Sequence, residues 1–163
     1  MHLVSVAALA ENRTIGDDGD VPWPSLPEDV EQYRTRVADA PVILGRRTFE
    51  AMRGDLPGTR RIVVSRSLKT VDDPDGVVAA DVETALAYAA RFAGDGPAYV
   101  LGGGAIYDLF FPHVDRMVLS HVDGRYEGDT RYPAWDDGAW DIVAETRYDG
   151  FTLREWERVD AAP

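Results

Sequence analysis

Four stretches of this chain are apolar at almost every position. They are residues 2–9 (HLVSVAAL), 41–45 (PVILG), 61–65 (RIVVS) and 98–102 (AYVLG). A short run that does not alternate with polar residues is expected of a strand buried on both faces. Such strands need helices above and below them, and helical patterns do lie between the runs. Residues 26–38 follow Ser25-Leu26-Pro27-Glu28, which has the spacing of a capping box. Residues 48–53 form a short helix after an arginine pair. Asp81 caps 82–93, which stops at Gly94, and 105–111 follows three glycines and stops at Pro112. Residues 117–122 add a strand. Residues 142–147 and 151–157 flank the Asp149-Gly150 turn and read as a hairpin. The expected fold is α/β: a mostly parallel central sheet with helices on both faces and a C-terminal antiparallel hairpin. At 163 residues, with no repeat and no long linker, the chain is expected to be a single domain over 1–163.

Composition narrows the function. The net charge is −12, from 29 acidic and 17 basic residues. That acidity argues against general binding to nucleic acid or anionic membrane. Cysteine is absent, which excludes disulfides, a thiolate nucleophile and cysteine-ligated metal. The three histidines, His2, His113 and His121, lack metal-ligand spacing, and no metal site is expected. No apolar run has transmembrane length, and the N-terminus lacks the basic segment of a signal peptide. A cytoplasmic monomer is expected. Among the bases 16 are arginine, with Lys69 the single lysine, and 20 of the acids are aspartate. Short hydrated aspartates in place of lysines suit a halophile's surface; an ordinary acidic protein is the alternative.

The positive charge is concentrated. Residues 42–69 hold Arg46, Arg47, Arg53, Arg60, Arg61, Arg66 and Lys69 against Glu50 and Asp55. This segment is +5, leaving −17 on the rest. The cluster points to an anionic ligand, because the arginine fork suits phosphate and carboxylate. Pairing with neighbouring aspartates accounts for individual members.

Three motifs carry possible chemistry. Leu101-Gly102-Gly103-Gly104-Ala105-Ile106-Tyr107 leaves a strand and opens a helix, where the backbone can approach a phosphate closely. It lacks the spaced Rossmann fingerprint, and a ligand-free turn is equally compatible. Gly45-Arg46-Arg47-Thr48 and Ser65-Arg66 end two other strands and could form two sides of a phosphate pocket. Glu28 is placed by the capping box, which leaves Asp29 unassigned. Asp29 and Tyr33 share a helix face, and with Val30 and Val37 that face could line an apolar cleft. A carboxylate there could hold an amidine-like heterocycle and support proton transfer. Complementing the helix dipole is the structural alternative for Asp29.

In order, VSVAALAENRTIG, VPWPSLPED, PVILGRRTFEAM, LPG, IVVS, YVLGGGAIY and YEGDTRYP resemble dihydrofolate reductase, over nearly the whole chain. With the acidic composition, the chain looks most like a haloarchaeal member. The resemblance implies NADPH-dependent reduction of 7,8-dihydrofolate, with hydride passing to C6 of the pteridine. The family's cleft carboxylate falls on Asp29, which would hold the pteridine and assist protonation of N5 through water. Trp23 would wall the cleft. Ser120, at a position that is usually threonine, would bond the carboxylate. Val6, Ala8, Tyr33, Met52, Leu56, Leu101 and Tyr107 would surround the folate. Ala8, Ile15, Gly16 and Thr130 would touch the cofactor, with 17–20 in the mobile loop that closes over it. Gly45, Arg46, Arg47, Thr48, Ser65 and Arg66 match the phosphate positions, Arg46 and Arg66 facing the 2′-phosphate. Gly102, Gly103, Gly104, Ala105 and Ile106 would lie along the pyrophosphate, with a cis bond between Gly102 and Gly103.

One position departs from the family. The arginine that often follows LPG and grips the folate glutamate tail is Thr59 here, so Arg60 or Arg34 would have to substitute. Two alternatives stand beside the folate enzyme: a riboflavin-pathway reductase of the same fold, and a non-catalytic NADPH-binding regulator.

Overall fold

The computed structural model describes residues 1–16 and 20–159. In chain order its elements are β1 (His2–Leu9), β2 (Thr14–Gly16), α1 (Pro27–Val37), β3 (Pro41–Gly45), α2 (Arg46–Ala51), β4 (Arg60–Val64) and β5 (Gly76–Ala79). These are followed by α3 (Val82–Ala93), β6 (Pro97–Val100), α4 (Gly104–Phe110), β7 (Arg116–Val122), β8 (Thr130–Arg131), β9 (Trp140–Tyr148) and β10 (Phe151–Arg158). Eight strands form one sheet in the order β5-β4-β3-β6-β1-β7-β10-β9. Pairing is parallel from β5 to β7, and β10 runs antiparallel to both its neighbours. β2 and β8 make a separate antiparallel ribbon.

The continuous apolar runs are buried because both faces are covered. On β1, Leu3, Ala7 and Leu9 join a core with Ala85 and Ala89 of α3 and Phe110 of α4. Val4 and Val6, on the opposite face, join Val37 of α1 and Phe49 of α2. Asp81 caps α3 by accepting from the Thr84 N–H at 2.7 Å, as its position before the alanine-rich run implies. The hairpin turns at Gly150, whose φ of +89° is a conformation that favours glycine.

Four features differ from the sequence reading. The helix after Pro24 does not use Ser25 as its cap. Pro27 takes the first helical position, which makes Leu26 the cap residue and leaves Ser25 one residue too early. The helix after the arginine pair starts at Arg46 rather than Thr48, with Gly45 as its cap. β5 has no mark in the sequence, being a four-residue strand with three half-buried positions. The strands of the β2–β8 ribbon are three and two residues long, too short to show alternation, and join segments more than a hundred residues apart.

Candidate active site

Two elements, α1 and β7, converge on one carboxylate. Asp29 lies in the first turn of α1, and its Oδ1 accepts from the Ser120 hydroxyl of β7. Gln32, one turn on, donates its side-chain N–H to the same oxygen at 3.0 Å. Ser120 is 2% exposed and stands opposite Ala8 in the β1–β7 ladder, so the bond joins helix to sheet at the edge of a cleft. Glu28, freed from capping, is exposed.

Apolar side chains line that cleft. Val6, Trp23 and Leu101 belong to its buried cluster, against which Ala8, Tyr33 and Leu56 pack. The Tyr33 hydroxyl donates to the Met52 sulfur at 3.8 Å. Burial raises the Tyr33 phenol to about 12, against the opposing pull of Arg34, so it is a neutral donor at pH 7. Trp23 meets Tyr126 edge-on, with ring centroids 5.9 Å apart. Tyr107 is buried and donates its hydroxyl to the Val6 carbonyl at 2.6 Å, and burial holds its pKa well above the ordinary value. Val30 does not join this group: it is 55% exposed, because the cleft face of α1 follows Asp29, Tyr33 and Val37.

A second region lies at the carboxyl ends of β3, β4 and β6. The Gly102–Gly103 bond is cis, and Gly45 donates its N–H to the Gly102 carbonyl at 2.8 Å. Backbone and neighbours approach closely here. A Cβ on Gly104 would fall 2.3 Å from Thr130 Cγ2 and 3.9 Å from Ile15 Cδ1, and one on Gly103 would fall 3.8 Å from Thr48 Oγ1. The turn after β6, the ribbon residues and α2 therefore form one cradle. Gly16 touches it through Thr130, and Ile106 packs against Gly45. Ala105 is exposed on α4, and Ser65 directly follows β4 with its hydroxyl accepting from the Leu68 N–H at 3.1 Å. Of the 17–20 stretch, residues 17–19 lie outside the described residues.

The basic island divides. Arg61 is buried and grips Asp73 with two bonds of 2.8 and 2.9 Å, so it serves the fold. Arg53 lies over the Phe49 ring. Arg60 lies 3.9 Å over the Phe92 ring and donates to the Asp75 carbonyl, which engages it with α3 and not with the Asp29 cleft. Arg46 makes an exposed pair with Glu50 at 3.1 Å, and Arg47 and Arg66 are exposed. Arg34 sits on α1 beside the cleft, bonded to the Asp55 carbonyl at 2.8 Å and paired with the Asp55 carboxylate at 3.5 Å.

A carboxylate cleft beside a glycine and arginine cradle is one arrangement that several reductases could share. The comparison with family models decides among them: the dihydrofolate reductase model matches residues 2–155. The chain belongs to the dihydrofolate reductase family. It is 38% identical to the dihydrofolate reductase HdrB of Haloferax volcanii, over 99% of this chain and 86% of that one. It is 40% identical to dihydrofolate reductase 1 of Haloarcula marismortui, over 99% and 94%. A solved structure, dihydrofolate reductase from Enterococcus faecalis complexed with NADP(H) and RAB-propyl, superposes with a TM-score of 0.82. It is 28% identical and covers 98% of this chain and 97% of its own. The haloarchaeal relatives favour the halophilic reading of the aspartate-rich surface over the ordinary acidic one. Neither the pyrimidine reductase nor the regulator is favoured.

Two members of this dihydrofolate reductase cleft escape a sequence reading. Gln32 is marked only by lying three residues after Asp29 on a helix, a spacing that fits any surface pair. Tyr126 reaches Trp23 from a loop, and no local pattern connects them.

Proposed function

We propose that Asp29 is the carboxylate on which this dihydrofolate reductase holds and protonates its substrate. The reaction is the family's, the NADPH-dependent reduction of 7,8-dihydrofolate to tetrahydrofolate. The observation that carries the assignment is the Ser120–Asp29 bond, which fixes one carboxylate oxygen from the sheet. The other oxygen is then free for the exocyclic amino group and N3 of the pteridine. Val6, Ala8, Tyr33, Met52, Leu56, Leu101 and Tyr107 exclude bulk water, and Trp23 walls the end beside Asp29. Proton delivery to N5 runs through a water oriented by Asp29 and Trp23.

The residues at the strand ends fit a dinucleotide phosphate. Gly103 and Gly104 leave backbone exposed where side chains would fill the cradle, and Arg46, Arg47 and Arg66 stand at its rim. NADPH, when bound there, supplies the hydride that passes to C6. Thr48, Ser65 and the turn of Gly102 to Ile106 would hold its phosphates, Gly45 the approach to them. Ile15, Gly16 and Thr130 would touch its nicotinamide half. The exposed Arg46–Glu50 pair contributes little by itself, so Arg46 can turn to a 2′-phosphate. Arg46→Ala and Arg66→Ala are each expected to weaken NADPH more than NADH; equal weakening puts this assignment out.

For the glutamate tail, Arg34 is the better placed of the two substitutes: it stands beside Tyr33 in a solvent-exposed pair with Asp55 that a tail carboxylate could replace, whereas Arg60 is held against Phe92 of α3. Arg34→Gln should raise the KM for dihydrofolate about tenfold with kcat kept, the size of one charge-assisted hydrogen bond. We read the chain as one domain and a cytoplasmic monomer without nucleic-acid or membrane partners. Its charge of −12 supports the absence of nucleic-acid and anionic-membrane partners. No helix among the described residues is long and apolar enough to cross a membrane.

The test of the central assignment is NADPH oxidation with dihydrofolate in molar KCl. Asp29→Asn should lose roughly 10²–10⁴-fold in kcat at neutral pH, the range of a lost acid–base group. A variant with near-wild-type turnover would sink the assignment.

A further inference from the structure

On the sheet face away from Asp29 the molecule carries a cavity of about 980 Å³. One residue step of β7 separates it from the cleft: Ser120 bonds Asp29, and His121 lines the cavity. None of the residues assigned above to folate or to the cofactor lines it.

Part of its wall is aromatic. Trp135 and Trp156 meet edge to face with centroids 5.4 Å apart, and His121 lies 6.3 and 5.9 Å from them. Trp156 donates its indole N–H to His121 Nε2 at 3.2 Å, a bond that requires the neutral ring. The Trp135 indole N–H is buried and, among the described residues, has no hydrogen-bond partner. A buried donor without a partner is uncommon in folded proteins.

The rim is basic. Arg154 is committed to Glu145 at 2.6 Å, and Asp123 to Arg147 at 2.5 Å. Arg13 donates to the Tyr132 carbonyl, and among the described residues it forms no ion pair. Arg125 and Arg131 are exposed, and among the described residues neither guanidinium has a hydrogen-bond or ion-pair partner. Against these three charges stand Glu11 and Asp137. In a chain with 29 acids for 17 bases, a guanidinium finds a carboxylate easily, so a net positive rim is a departure.

We propose that this cavity is a second ligand site, specific for a planar aromatic anion. The ring would pack on Trp135, Trp156 and the neutral His121, where apolar area and edge-to-face contact favour it. The carboxylate would lie between Arg125 and Arg131, whose planar forks match it.

The experiment uses the preformed stoichiometric complex of the enzyme with NADP+ and folate, which has no hydride to transfer, at constant molar KCl. The probe is 2-naphthoate, followed by tryptophan quenching and calorimetry, with 2-naphthamide as its neutral isostere. One naphthoate should bind per chain, about tenfold tighter than the amide, and without displacing folate. The double variant Arg125→Gln/Arg131→Gln should weaken naphthoate about tenfold and leave dihydrofolate turnover unchanged. Equal affinity for acid and amide in the wild-type protein would overturn the proposal. So would unchanged affinity in the double variant, release of folate by the probe, or no binding at millimolar naphthoate.

Discussion

Asp29 depends on its neighbours for direction. A first-turn carboxylate can complement the helix dipole without further contacts. Here the buried Ser120 hydroxyl and the Gln32 amide both hold Oδ1. Removing Ser120 leaves that oxygen short of a partner, at a cost of about 1.5–3 kcal/mol for a hydrogen bond to a charged group. Ser120→Ala should therefore lower kcat/KM roughly tenfold or more, and Ser120→Thr, which keeps the hydroxyl, should retain most of it. Steady-state kinetics of the two variants checks this. Gly104 makes a different demand. A Cβ there would stand 2.3 Å from Thr130, closer than side chains tolerate. Gly104→Ala must push Thr130 or the α4 turn aside. It should raise the NADPH dissociation constant more than the KM for dihydrofolate, as fluorescence titration would report.

Individual elements carry two further consequences. On β4, Arg61 ties Asp73 and also donates to the Pro57 and Gly58 carbonyls, at 3.3 and 3.0 Å. One buried guanidinium thus clamps the turn before β4 to the turn before β5. The hydrogen bond from Arg61 holds the Asp73 carboxyl below its usual range. Asp73→Asn leaves the buried cation with only the exposed Asp75 carboxylate, 3.8 Å away, and should cost up to about 3–5 kcal/mol in thermal or chemical denaturation. On β7, burial and then Arg154 lower His121 from 6.5 to about 4, with Glu145 opposing. Between those values the unfolded chain binds the proton and the folded one does not. Stability should therefore fall as pH drops from 6.5 towards 4, and His121 should contribute no slope above 6.5. His121→Gln, which keeps an acceptor for Trp156, should flatten that part of a stability–pH curve.

For the whole molecule, charge sets the working conditions. A body of −17 around an island of +5 repels itself. The screening length falls from about 10 Å at 0.1 M salt to about 3 Å at 1 M. Melting temperature and activity should both rise with KCl over this range, and a flat or falling response would remove the halophilic reading. If the exposed Arg47 and Arg66 hold NADPH as proposed, the same salt weakens that binding, and the KM for NADPH should rise as the protein becomes more stable.

Much of this was written locally. Strands buried on both faces show as unbroken apolar runs, and helix ends show as Asp81 and Gly94. Glycine and arginine turns mark the strand ends proposed to hold a phosphate. These features depend on a few neighbouring residues, so the order of the chain determines them. Contacts between distant segments were decided only on folding. Ser120 and Gln32 meet on Asp29, and Tyr132 donates its hydroxyl to the buried Ser5 at 2.8 Å across 127 residues. Arg60 and Arg61 stand side by side, yet one stacks on Phe92 and the other disappears into an ion pair. Successive strand residues point to opposite faces, and what waits on each face is set by the whole sheet.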